Sequence, residues 1–359
     1  MIQPEDIVRN GPNQFISQKG IYHELDSLVS AFQSPAVVTG YDSIKLFHNT
    51  QICRLIGLSF STKDTVHPMR SHSSQKNLKG SDVIIGIGGG TILDTAKSVA
   101  DALQIEVIMV PTIPGTCAAS TPLVIYDEKG NYMRVDYHKR SSYLTLINHT
   151  FLLSSPLSYF QSGIYDTLAK WYEAEAIIRN TKGALPLMVH AALKQAVYVR
   201  DILLSHSEEA VNSLKTGQFS QAFADVTDTI ITLAGTVGGY GGRYGRMAGA
   251  HAVHNGLTFI EETHHLLHGQ KVAYGILVQI AVENRMSEVE ELLELYQTPR
   301  LPRNMRDLGI TIQLKEASTT VANHAARKDE TFCLIGDYAK EKIVDAIQII
   351  EAFQPQKTI

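Results

Sequence analysis

The stretch Asp82-Val83-Ile84-Ile85-Gly86-Ile87-Gly88-Gly89-Gly90-Thr91-Ile92-Leu93-Asp94-Thr95-Ala96-Lys97 decides the reading of the fold. Asp82 to Gly86 is a short β-branched run, the signature of a buried strand, and Thr91 to Leu103 carries helical spacing. Between them three consecutive glycines remove every Cβ from the turn. Backbone N–H groups there can approach a pyrophosphate at the positive end of the following helix. The spacing departs from the usual dinucleotide fingerprint, and a plain strand-to-helix turn would use the same residues.

Working outward, Pro35-Ala36-Val37-Val38-Thr39-Gly40 predicts a strand ending in a glycine turn, and Asp42 to Ile56 a helix. Glu106 to Val110 predicts a third strand, closed by Pro111. Leu123 to Tyr126, Tyr132 to Asp136 and Tyr143 to Ile147 add further strands or a hairpin. Strands alternating with helices point to a parallel sheet covered on both faces. Past Pro156 helical patterns dominate: Gly163 to Ile178, Pro186 to Leu204, Ser220 to Gly235, Val272 to Glu283, Ser287 to Tyr296, Leu314 to Asn323 and Lys340 to Phe353. The expectation is two domains, an α/β domain over 1–155 and a helical domain over 156–359, with a ligand cleft between them.

Composition excludes several partner classes. The 359 residues are 44% hydrophobic and 19% charged, with a net charge of -4 that leaves no excess of Lys and Arg to neutralise phosphates, so nucleic acid is not an expected partner. Cys53, Cys117 and Cys333 are odd in number and scattered, which predicts a reduced, cytoplasmic protein rather than a disulfide framework. The first residues carry no apolar signal core, and no run of eighteen apolar residues predicts a membrane span.

Two further features carry chemistry. The loop Pro111-Thr112-Ile113-Pro114-Gly115-Thr116-Cys117-Ala118-Ala119-Ser120-Thr121 supplies hydroxyls and small residues that suit phosphate, ribose or nicotinamide, although the same residues make ordinary turns. It follows the third strand, so it falls beyond the strand carboxyl ends where open parallel sheets bind ligands. In the helical half, His251 and His254 stand three apart on one helix face, His268 follows, and Asp166 opens a helix upstream. Imidazoles with a carboxylate suit Zn²⁺ or Fe²⁺. Taken singly, each has a plainer role, Asp166 as a cap and His254 as a satisfied helix histidine.

Together these segments resemble the glycerol dehydrogenase branch of the iron-containing alcohol dehydrogenase superfamily, over nearly the whole chain. The resemblance is carried by Gly88-Gly89-Gly90-Thr91 with Asp94 and Lys97, the Pro111-Thr112 loop, Gly163-Ile164-Tyr165-Asp166, Leu168 to Ala174, Ala250 to Gly256 and His268 to Gly275. It implies an α/β Rossmann-like N-terminal domain followed by an all-helical C-terminal domain. It also implies a metal-dependent NAD or NADP oxidoreductase acting on the CH–OH group of a small-molecule substrate, in an enzyme that forms a homo-oligomer. By residue match the metal ligands are Asp166, His251 and His268. Lys170 stands where the iron-type branch has a further histidine, which favours Zn²⁺ over Fe²⁺ or another divalent metal. The cofactor contacts expected are Gly88, Gly89, Gly90, Asp94, Thr112, Thr116, Ser120 and Tyr126, with Asp42, two residues after Gly40, as a ribose-hydroxyl acceptor that favours NAD. The NAD-using glycerol dehydrogenases carry that acid directly after the glycine, where Tyr41 stands here. His254 is the candidate catalytic residue, relaying a proton or supporting the metal.

The departures from that branch concern substrate. Cys117 replaces an aspartate that anchors polyol hydroxyls in glycerol dehydrogenases. A carboxylate there would repel an anionic substrate by on the order of several kcal/mol at an effective dielectric near 20. Arg243 and Arg246, in a glycine-rich stretch ahead of His251, are candidates to hold a substrate carboxylate by a bidentate bond. These features resemble the hydroxycarboxylate dehydrogenase members, which interconvert 2-hydroxy and 2-oxo acids. Glycerol or another polyol is the alternative substrate, and a metal-dependent lyase like the dehydroquinate synthases is a more remote reading.

Overall fold

The computed structural model describes residues 7–41, 43, 60–62, 78–128, 131–296 and 301–353. Its strands are β1 (Gln14–Gln18), β2 (Pro35–Gly40), β3 (Phe60–Thr62), β4 (Val83–Gly88), β5 (Glu106–Pro111), β6 (Leu123–Glu128), β7 (Asn131–Tyr137) and β8 (Leu144–Asn148). Six of them form one sheet in the order β1-β8-β5-β4-β2-β3. Every neighbouring pair in it is parallel, with Val83 set against both Pro35 and Glu106. From β2 the chain moves outward to β3, then returns to β4 and travels the other way through β5 to β8. The direction therefore reverses between β2 and β4, and their ends, Gly40 and Gly88, flank the switch point where such sheets bind ligands.

Side chains alternate across the sheet with period two. Ala36, Val38, Ile84, Met109 and Ile147 enter one apolar core, while Val37, Ile85, Ile108, Val110 and Leu146 enter another. Helix α1 (Gly90–Leu103) covers the first face with Leu93, Ala96, Val99 and Ala100. The β6–β7 hairpin is antiparallel and stands apart from the sheet.

The second half is helical: α2 (Leu157–Asn180), α3 (Leu187–Thr216), α4 (Gln221–Asp228), α5 (Ala234–Gly241), α6 (Gly249–Leu257), α7 (His268–Val282), α8 (Met286–Leu295), α9 (Leu314–Ala325) and α10 (Lys340–Ala352). Its core is continuous with the first face of the sheet. No helix among the described residues is long and apolar enough to cross a membrane.

The expected architecture, an α/β sheet half followed by helices, is what the chain adopts. Two strands lack a sequence signal. β1 is an edge strand with only Phe15 and Ile16 apolar and mostly exposed positions, and β3 has three residues. The helix expected over Ser220–Gly235 is interrupted by a π turn at Thr229–Leu233, and α2 and α3 are longer than expected. The helix expected over 42–56, with Asp42 and Cys53, lies outside the described residues.

Candidate active site

The site is assembled from the middle of α2, the starts of α6 and α7, and the loops that face them. On α2, Asp166, Lys170 and Glu173 recur at helical spacing, so all three share one buried face. Gly163 sits one turn earlier, where a Cβ would collide with the Pro114 carbonyl, so the missing side chain lets α2 press against the Pro-Thr loop. At Gly269 a Cβ would overlap the Ser162 carbonyl, and the Gly269 N–H instead donates to Ser162 Oγ at 2.9 Å. That close approach brings His268, the first residue of α7, over Asp166.

Helix α6 supplies the remaining ligating candidate. Its N-cap position, Ala248, has no capping side chain, and buried groups from two other helices do the work. Glu173 Oε1 accepts from the N–H groups of Ala248 at 2.7 Å and His251 at 2.9 Å, and Gln279 Oε1 accepts from Ala250 N–H at 2.9 Å. Glu173 Oε2 also accepts from His251 Nδ1 at 2.8 Å. One carboxylate thus starts the helix and aims its histidine.

Donor atoms of Asp166, His251 and His268 lie within 4.8 Å of one another. His251 Nε2 and His268 Nε2 stand 3.3 and 3.1 Å from Asp166 Oδ1. Ligand atoms about 2.1 Å from a tetrahedral ion stand roughly 3.4 Å apart, so these spacings match the edge of such a site. The outward nitrogens are already engaged: His251 Nδ1 with Glu173, and His268 Nδ1 with His254 Nε2 at 2.9 Å. What converges inward is an oxygen and two imidazole nitrogens, a donor set that needs a cation or shared protons to be stable. Burial opposes charge on Asp166, yet His268 and His251 hold its carboxyl well below the usual carboxylate range. Burial alone would lower His251, but Glu173 and Asp166 push it up to about 9. The residues fit a divalent metal with one position left open to substrate.

These donors open into a cavity of about 480 Å³ that also takes in Gly89, Gly90, Thr116, Cys117 and Arg246. Of the other expected residues, Asp94 and Ser120 line it, while Gly88, Thr112 and Arg243 do not. Gly88 ends β4, where a Cβ would strike Ile92, and its carbonyl accepts from Thr112 N–H at 3.0 Å. Asp94 pairs with Lys97 Nζ at 2.8 Å and accepts from Ile125 N–H at 3.1 Å. Tyr126 lies on β6 beside Ile125, which faces the cavity.

Cys117 is half-buried, and desolvation pushes its thiol up, so it brings no charge at neutral pH. Arg246 is buried and lines the cavity, its guanidinium lies 4.8 Å from the centre of the Tyr137 ring, and Lys170 Nζ donates to its carbonyl at 2.8 Å. Arg243 belongs to a second cavity of about 520 Å³, which shares Arg246 and Met247 with the first. His254 stands behind His268 and does not face the cavity. Burial, with His268, Lys271 and His251 nearby, holds it well below the usual imidazole range, so it is neutral.

The chain is similar to known proteins over most of its length. Residues 12–149 match the family model for iron-containing alcohol dehydrogenase. Hydroxycarboxylate dehydrogenase A of Escherichia coli is 40% identical over 271 residues, covering 73% of this chain and 75% of that protein. Glycerol dehydrogenase of Pseudomonas putida is 33% identical over 277 residues, covering 76% and 75%. The crystal structure of glycerol dehydrogenase from Schizosaccharomyces pombe superposes with a TM-score of 0.85 at 25% identity, covering 97% of this chain and 91% of that one. The chain belongs to the iron-containing alcohol dehydrogenase family.

As an iron-containing alcohol dehydrogenase it is a metal-dependent oxidoreductase acting on CH–OH groups. In this member of the family, the residues that sequence reasoning left without a role are Glu173, Gln279, Asn255 and Glu330. Glu173 lies in a quoted motif, but its task is to cap a helix almost eighty positions away, roughly the separation of Ala248 and His251 from it. The only sequence signal is an acid on the same helical face as Asp166. Glu173→Ala leaves three buried donors without an acceptor and is expected to cost on the order of 3 kcal/mol. A urea unfolding midpoint equal to that of the parent protein would contradict this.

Proposed function

We propose that this cavity interconverts a 2-hydroxy acid and the corresponding 2-oxo acid with a nicotinamide dinucleotide, and that Asp166, His251 and His268 hold a zinc ion. The observation that carries the substrate reading is Arg246, a buried arginine that lines the cavity into which the three convergent donors open. Similarity to hydroxycarboxylate dehydrogenase A supports it. The domain division at 155/156 belongs to the same proposal, since the last strand ends at Asn148 and α2 begins at Leu157.

Asp166, His251 and His268 would hold the cation, which would supply Lewis-acid polarisation of the substrate oxygen, and a nicotinamide held by the glycine turn would supply the hydride chemistry. The chain's own residues do the rest. Gly89 and Gly90 open the N-terminus of α1 to the cavity, where its free N–H groups suit a pyrophosphate. Glu173 and His254 keep the ligating imidazoles turned inward. Arg246 binds the carboxylate, and its planar fork orients the carbinol carbon. Cys117 leaves the anion unopposed. His254 supports the site through His268, and the substrate proton exchanges with solvent.

Chelation of the purified enzyme is expected to abolish turnover, and zinc to restore it. Assayed after add-back, with NAD and NADP and their reduced forms, a panel of 2-oxo acids and polyols should show the acids reduced in preference. Glycerol oxidation with no response to any 2-oxo acid would replace this reading with the polyol one, as the resemblance to glycerol dehydrogenases allows.

A further inference from the structure

We infer that Glu330 and Asn255 are positioning residues of the metal centre: through His254 they dictate which nitrogen of His268 carries its proton. The inference rests on the reading that Asp166, His251 and His268 hold a cation. Asn255 Nδ2 donates to Glu330 Oε2 and Oε1 at 3.2 and 3.4 Å. A carboxylate only accepts, so the amide nitrogen must face Glu330 and the amide oxygen must face away. That oxygen lies 3.0 Å from His254 Nδ1 and, as an acceptor, places the ring's single N–H there. His254 Nε2 is left with a lone pair, 2.9 Å from His268 Nδ1, which must therefore donate. His268 Nε2 then keeps its lone pair and points it at Asp166, the orientation in which an imidazole takes a metal.

The chain of dependence begins in the wall of the second cavity, where Glu330 sits, so the polarity of the ligand is set from a space other than the substrate's. The segment is held in place there. Thr331 Oγ1 donates to the Ala248 carbonyl at 2.8 Å, tying the residue after Glu330 to the start of α6. A purely structural Glu330 would need only an uncharged polar partner for Asn255. One that dictates polarity must offer an acceptor.

That difference can be tested by zinc affinity, measured by chelator competition on the metal-free protein. A lysine ammonium only donates, so Glu330→Lys turns the amide round and puts the proton on the wrong nitrogen throughout. It is expected to weaken zinc binding about 10- to 100-fold. Glu330→Gln still offers an acceptor and should stay within about threefold of the parent. In N255D/E330K the carboxylate introduced at 255 accepts from both His254 and the ammonium, which restores the original polarity and should return affinity to within about threefold. Unchanged affinity in E330K, a double variant no tighter than E330K, or a loss that high salt removes would each overturn the relay. A parent protein that takes up no zinc would instead overturn the metal reading beneath it.

Discussion

Asp166→Ala is expected to lower kcat/KM by at least about a thousandfold, the loss of roughly 4 kcal/mol of Lewis-acid stabilisation at 1.36 kcal/mol per decade. His251→Ala should do the same, because each removes one of three convergent donors from a cluster that includes no fourth His, Cys, Asp or Glu among the described residues. Both variants should still bind reduced dinucleotide with near-parent affinity, since the glycine turn and the Thr116 loop lie on other elements. Steady-state rates, zinc content and a fluorescence titration of the reduced cofactor separate the two effects. Near-normal kcat/KM in a metal-free Asp166→Ala preparation would end the metal assignment.

The second large effect concerns substrate charge. Arg246→Ala is expected to lower kcat/KM for a 2-oxo acid by about a hundredfold or more, because a buried carboxylate left without its cation costs about 2–5 kcal/mol. Arg246→Lys keeps the charge but loses the planar fork, and should fall between the parent and the alanine variant. Arg246 also packs on Tyr137, so any change of the residue disturbs the wall of the cavity. The ratio of activity on a 2-oxo acid to that on an uncharged diol isolates the carboxylate contact. A ratio unmoved by Arg246→Ala would show that the guanidinium serves the fold and not the substrate.

What was legible in the sequence follows from the range of the forces involved. The central strands were readable because both their faces are buried, which makes each one a continuous apolar run. β1 was not, since an exposed edge leaves its side chains unconstrained, and only its backbone pairing with β8 defines it. The Asp166, His251 and His268 set was readable through ordered motifs, although spacing alone gave no convergence. The second layer was opaque. Glu173, Gln279 and Glu330 are chosen by donors that lie far along the chain, and nothing local marks an acid or amide as a distant helix cap or an amide orienter. Arg243 and Arg246 show the limit of short spacing. They are three residues apart and both line the second cavity, yet with the 3₁₀ turn at Gly242–Tyr244 between them only Arg246 also reaches the cavity of the three convergent donors.

The sheet gives one of its two faces to an apolar interior that runs on without a break into the helices. The α/β half expressed alone would therefore leave Ala36, Val38, Ile84 and Met109 without part of the interior they share with the helices, and would stick to its own kind rather than stay dispersed. Heating should likewise melt both halves in one event, giving a single calorimetric peak. Breeding new enzymes by exchanging front halves between relatives will succeed only when the swapped piece brings matching shapes for that seam.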